Sequence, residues 1–278
     1  MKLLRVGPVG QEKPACLDPQ GGIRDLSGVC ADFEGEAVGL EALEALKRLD
    51  LAALPLVGGA PRIGAALARV ETFYGIGLNY AQHAAEAGME PPKEPIVFNK
   101  SASCLAGPYD ALRLPEGSEK SDWEVELGVV IGKRAHNIGV EEALGYVAGY
   151  CVINDLSERA YQIERGGQWT KGKSAPGFGP VGPYLVTADE VPDPQALGLR
   201  LSLNGQPVQD NFTSDMIFSV AQIIAHMSAF MALVPGDVIA TGTPEGVGMG
   251  MSPQRFLRAG DVMELEIDGL GAQRTEVI

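Results

Sequence analysis

The run Trp123-Glu124-Val125-Glu126-Leu127-Gly128-Val129-Val130-Ile131 places two glutamates two residues apart in an otherwise apolar stretch. Side chains alternate across a strand, so Glu124 and Glu126 share one side while Val125, Leu127 and Val129 pack on the other. A strand with one solvated face alternates in the same way, and the pair by itself leaves that reading open. The run YVAGYCVIND, residues 146–155, adds a second observation. Its apolar length requires burial, yet it stops on Asn154 and Asp155, and a carboxylate at the end of a buried strand is a common mount for a functional site. Glu124, Glu126 and Asp155 together would make a hard-oxygen site, better suited to Mg²⁺ or Mn²⁺ than to zinc.

The chain has three histidines. His136, in KRAHNIG, reads as a surface-loop residue, and His226, inside a helical pattern, as structural. His83 lies in GIGLNYAQHAAEAGME, where a short helix after Asn79 would set Glu86 beside the imidazole. A carboxylate that orients an imidazole makes a general base near neutral pH, although a purely structural pair would have the same spacing. Gly75, Gly77 and Gly88 around it would let this segment move as a lid. The glycine-rich GGQWTKGKSAPGFGPVGP carries Lys171 and Lys173 and is flanked by apolar runs, so it reads as an ordered loop. A lysine fixed there beside a metal could bind a carboxylate or a developing enolate. GDVIATGTPEGVGMG lacks the lysine and the following helix of a phosphate-binding loop.

The elements that must hold these residues are mainly strands. Glycine and proline make up about a fifth of the 278 residues, too many for a helical bundle. From Glu71 onward, apolar runs separated by Gly, Asn and Pro turns (TFYGIG, PIVFNK, WEVELGVVIG, YVAGYCVIND, GPYLVT, LRLSLNG, GDVIATG, VMELEIDG) predict a β core with a few helices. The clearest helix is expected at 215–233, with Met216, Val220, Ile223, Ile224, Met227 and Met231 on one face. Leu40, Leu43, Leu46 and Leu49 predict a shorter one in the first unit, residues 1–69, which PLVGGAPRIGAALARV closes as a linker.

A net charge of −14 disfavours nucleic acid, and no apolar run approaches the roughly 20 residues of a membrane span. With no secretion-signal core at the start and no paired cysteine spacing, a cytoplasmic protein with free thiols is expected.

The ExE strand, the later Asp, the GKS loop and the TGTP turn, in this order, resemble the fumarylacetoacetate hydrolase superfamily over about residues 70–278. The resemblance implies an α+β, mainly β fold: a mixed β-sandwich roll of the fumarylacetoacetate hydrolase C-terminal type, 70–278, behind a small N-terminal domain, 1–69. It also implies a homodimer. By the family pattern, Glu124, Glu126 and Asp155 would hold the metal, Mg²⁺ or Mn²⁺. Arg159, Gln162 and Thr243 would contact the substrate, and His83, Glu86 and Lys173 would be catalytic. The implied reaction on a small 2-oxo acid is water attack on the distal carbonyl of a 2,4-dioxo acid, with carbon–carbon cleavage and release of pyruvate. Within the family the glycine-rich stretch looks most like the bacterial 2,4-diketo-3-deoxy-sugar-acid hydrolase branch (rhamnonate or fuconate pathway), also named as ureidoglycolate lyases. The other activities that the resemblance leaves open are isomerase or decarboxylase of aromatic meta-cleavage products, acylpyruvate hydrolase and oxaloacetate decarboxylase. A non-enzymatic metal-binding β protein is the reading from outside this class. For the sugar-acid tail, Asn79, Gln82, Gln168 and Thr170 are the hydrogen-bonding residues expected, and Lys93 the sole basic residue of the lid segment.

Overall fold

Each apolar run expected as a strand forms one. Phe73–Gly77, Ile96–Lys100, Val125–Ile131, Val147–Asn154, Leu185–Thr187 and Val238–Ala240 join Lys2–Val6, Lys13–Leu17 and Ile23–Asp25 in a nine-stranded sheet. This computed structural model describes all of residues 1–278. From one edge, the strands run Ile23–Asp25, Lys13–Leu17, Lys2–Val6, Leu185–Thr187, Val147–Asn154, Val125–Ile131, Val238–Ala240, Phe73–Gly77 and Ile96–Lys100. Val238–Ala240 runs parallel to Phe73–Gly77, and the other neighbours are antiparallel.

A second, four-stranded antiparallel sheet runs Gln206–Phe212, Gly198–Leu203, Val262–Ile267 and Gly271–Glu276. Val262–Ile267 buries Met263, Leu265 and Ile267 and leaves Glu264 and Glu266 outside, the period-two pattern of a sheet with one wet face. Its buried face lies against the two central strands of the large sheet. Those strands, Val125–Ile131 and Val147–Asn154, are consequently buried along their whole length, which explains why their sequences read as continuous apolar runs. Strand exceeds helix, 31% to 22%, so the mainly β expectation holds.

The sheet and its core continue across the expected division near residue 70. Lys2–Val6 pairs with Leu185–Thr187, and Leu3, Phe33, Leu43 and Leu46 share one apolar cluster with Val129 and Ile153. The stretch expected as a linker is tied down: Arg62 bridges Glu12 and Asp110 at 2.7 and 2.5 Å.

The long helix is shorter than expected, Val220–Phe230. A reciprocal cap at Ser219 and Gln222 starts it, leaving Met216 before it in a bridge to Tyr80. Apolar periodicity continues past both ends, and the cap rather than the period sets the boundary. All four cysteines are free, and no helix is long and apolar enough to cross a membrane.

Candidate active site

Antiparallel pairing brings the three carboxylates together. Val125 pairs with Asn154, so Glu124 falls opposite Asp155, whose N–H donates to the Glu124 carbonyl at 2.9 Å. The Asn154 side chain accepts from the Glu124 N–H at 3.1 Å and locks the register at the site. Oxygens of Glu124, Glu126 and Asp155 lie within 4.8 Å of one another, and all three residues are buried. An all-oxygen donor set of this size fits a hard divalent cation.

The cations around the triad are unevenly shared. Lys173 Nζ donates to Glu124 Oε2 at 2.5 Å and to Asp155 Oδ2 at 2.7 Å. Lys100 Nζ, also buried, donates to Asp155 Oδ1 at 2.5 Å. Arg159 Nη2 stands 2.7 Å from Glu124 Oε1. Burial pushes the Glu124 carboxyl up, but Lys173 and then Arg159 outweigh it and hold the group below the usual carboxylate range. Burial likewise pulls the Lys173 ammonium down, and Asp155 and Glu124 more than reverse this.

Glu126 has no basic side chain within ion-pair distance. It accepts one backbone N–H, from Gly242 at 2.8 Å, and burial followed by the charges of Asp155 and Glu124 drives its carboxyl well above the usual range. A buried carboxylate crowded by two others and lacking a cation is what a metal ligand looks like before the metal is bound. The turn that supplies the N–H depends on Gly242, whose φ of +99° and whose approach to Asn79 exclude a side chain.

His83 and Glu86 sit on one helical turn, Ala81–Glu86, with His83 Nδ1 2.8 Å from Glu86 Oε1. Glu86 Oε2 accepts the Gly246 N–H at 3.0 Å, which anchors the carboxylate. A carboxylate accepting at Nδ1 makes that nitrogen the N–H donor, so the lone pair stays on Nε2. Arg159 and Gln162 are paired at 3.2 Å, and Asp122 receives the Arg159 Nε at 2.9 Å. Thr243 Oγ1 donates to the Val125 carbonyl at 3.0 Å and accepts from Gln209 at 2.8 Å, so its hydroxyl proton is committed to the strand.

A single cavity of about 310 Å³ is lined by all the residues expected to bind metal, contact the 2-oxo acid or act in catalysis except Glu86, which stands behind His83. Helix Thr170–Lys173 presses so closely on helix Arg159–Ile163 that a Cβ at Gly172 would lie 2.6 Å from Gln162, and this approach delivers Lys173 to the triad.

Other expectations are corrected. Gly75 and Gly77 are not hinges. They lie in a strand paired on both sides, and their missing side chains admit the Phe98 and Trp169 rings. Asn79 is fully buried, with its amide spent on Phe218, Thr241 and the Phe218 N–H. Thr170 donates to the Asn99 carbonyl, and Gln82 faces Glu245. Asn79, Gln82, Gln168 and Thr170 all lie off the cavity wall, and Lys93 borders a separate hollow beside His226. Lys100, Asp122 and Trp169 were not anticipated. The only sequence signal for Lys100 was a charge closing the apolar strand Ile96–Lys100.

Residues 72–278 match the family described as fumarylacetoacetate (FAA) hydrolase C-terminal. A Burkholderia ambifaria relative, named provisionally as a hydrolase, is 59% identical over 274 residues, covering 98% of this chain and 97% of the relative. The solved fumarylacetoacetate hydrolase of Exiguobacterium antarcticum is 32% identical with a TM-score of 0.88, covering 100% and 99% of the two chains. The maleylpyruvate hydrolase of Sphingobium sp. SYK-6, solved with manganese(II) and pyruvate, is 26% identical with a TM-score of 0.81 and the same coverage.

Proposed function

The chain belongs to the fumarylacetoacetate hydrolase family, and from that premise we propose a divalent-metal-dependent hydrolase that cleaves a carbon–carbon bond of a 2,4-dioxo acid and releases pyruvate. The observation that carries this reading is the convergence of three buried carboxylates, two buried cations and the His83–Glu86 pair on one cavity. The manganese and pyruvate of the Sphingobium relative support the metal class and the product.

Mg²⁺ or Mn²⁺ held by Glu124, Glu126 and Asp155 would supply Lewis-acid polarisation of the 2-oxo acid end and offset negative charge developing there. His83 Nε2 takes a proton from water, and Glu86 holds the ring and stabilises the charge that it gains. The water oxygen bonds to C4, the C3–C4 bond breaks, and its electron pair leaves on the pyruvate carbon, which is then protonated. Lys173 and Arg159, both at Glu124, bring positive charge to the carboxylate end.

The test is a panel of 2,4-dioxo acids with Mg²⁺ or Mn²⁺, following loss of the enol absorbance together with pyruvate. One pyruvate per molecule consumed supports the hydrolase. Loss of absorbance without pyruvate would mean tautomerisation, and release of carbon dioxide in its place would mean decarboxylation.

A further inference from the structure

The charged groups of the cavity cluster on one another: Arg159 and Lys173 both pair with Glu124, and Lys173 also with Asp155. Beside them, and beside His83, Gln162 and Thr243, the wall carries an apolar set, Leu78, Met89, Phe98, Ile163, Trp169 and Met249, in which the Phe98 ring centroid lies 5.1 Å from Lys173 Nζ and Trp169 lies beyond Phe98. We propose that the site selects 2,4-dioxo acids whose substituent at C4 is an alkyl or aryl group, and that Trp169 and Phe98 are the residues that select it. The inference rests on the hydrolase reading for its reaction and on the cavity wall for the tail.

Two aromatic rings form the fixed part of that wall. The Phe98 and Trp169 ring centroids are 5.4 Å apart, with the planes inclined at 58°. Each ring is seated on a strand glycine. A Cβ at Gly77 would come within 2.3 Å of the indole, and one at Gly75 within 2.2 Å of the Phe98 ring. Glycines on a strand paired on both sides give the rings a rigid backing, so the apolar surface is present before a ligand arrives.

A polar tail finds little there. The side chains that could bind hydroxyls are engaged elsewhere or off the wall. Gln162 lines the cavity, but its carbonyl is taken by Arg159, leaving one amide for the dioxo acid itself. For a second carboxylate the wall offers no cation beyond Lys173 and Arg159, since Lys171 turns to the Arg165 carbonyl and Lys93 borders the other hollow. Hydroxyls or a charge placed against the faces of Trp169, Ile163 and Met89 would lose water for few partners, whereas an apolar tail gains by leaving water.

The test compares 2,4-dioxobutanoates that differ only at C4, carrying methyl, pentyl, phenyl, polyhydroxyalkyl or carboxyvinyl groups, on the metal-loaded enzyme. Wild type should prefer pentyl and phenyl. Trp169→Ala should lower kcat/KM for these about 10- to 100-fold while changing the methyl compound by less than about threefold. Gly77→Ala, which displaces the indole without removing it, should give the same selective loss. Preference for the polyhydroxyalkyl or carboxyvinyl compound would overturn the inference and leave the hydrolase reading standing, and a uniform loss across the panel would overturn the role of Trp169. If no compound is cleaved, the hydrolase reading falls and quenching of Trp169 fluorescence by the same acids decides the tail. Tighter binding of the phenyl compound than of the polyhydroxyalkyl one supports the inference, and equal binding overturns it.

Discussion

Lys100 Nζ lies 2.5 Å from Asp155 Oδ1, and neither side chain has any exposed surface. The same ammonium donates to the carbonyls of Lys173 and Leu156 at 2.5 and 3.4 Å. One cation therefore binds the end of the Asp155 strand to the short helix that carries the second lysine. It is a positioning residue for both.

Removing it should be costly. Lys100→Met leaves Asp155 with less compensation and two carbonyls without a donor. Breaking a buried pair from one side costs about 3–5 kcal/mol. Chemical denaturation of the metal-free protein should show a loss of that order, and a change below about 1 kcal/mol would mean that the pair contributes little.

Glu126 differs from the other two carboxylates because it lacks a cation. Glu126→Gln keeps the shape and can still accept the Gly242 N–H, so the metal-free protein should melt at the same temperature or higher. Mn²⁺ affinity by calorimetry should nevertheless fall by more than the roughly 10- to 100-fold typical when a group that only orients a metal ligand is changed. Unchanged affinity would remove Glu126 from the metal site.

Lys173 bridges Glu124 and Asp155, so it bears on stability whatever it does to substrate. Lys173→Met should lower the melting temperature in a chelator, and Mn²⁺ should raise it by more than it does in wild type, since the ion replaces the missing charge. Equal Mn²⁺-induced shifts in the two proteins would show that the lysine and the metal do not share these carboxylates.

Glu86→Gln and His83→Ala should each lower turnover about 10²- to 10⁴-fold while Mn²⁺ binding stays intact, because the pair lies on its own helix. The double variant should lose no more than about the worse single one, as the two act as a unit. Additive losses in steady-state kinetics would separate their roles.

Burial pushes the Cys151 thiol up to about 12 and the Cys16 thiol up to about 11. Raising a thiol keeps it protonated and unreactive at pH 8.5. Cys104 is buried as well, which leaves the half-buried Cys30 as the one accessible site. Native alkylation counted by intact mass should add at most one adduct, against four after denaturation.

The sequence alone determined what depends on local periodicity. Glu124 and Glu126 share a side because strand side chains alternate, and His83 meets Glu86 because one helical turn separates them. The strand runs were legible because burial of the central strands demands unbroken apolar stretches. Tertiary structure decided the rest. Lys100 reaches Asp155 across 55 positions, and Gly242 reaches Glu126 across 116. Gly75 and Gly77, which local reasoning takes for hinges, are spaces for rings from other segments. Whether Asn79 faces a ligand or the Phe218 backbone depends likewise on a loop far along the chain. Contacts of this kind satisfy buried charges and fill volumes between distant segments, and neither requirement leaves a period in the local sequence.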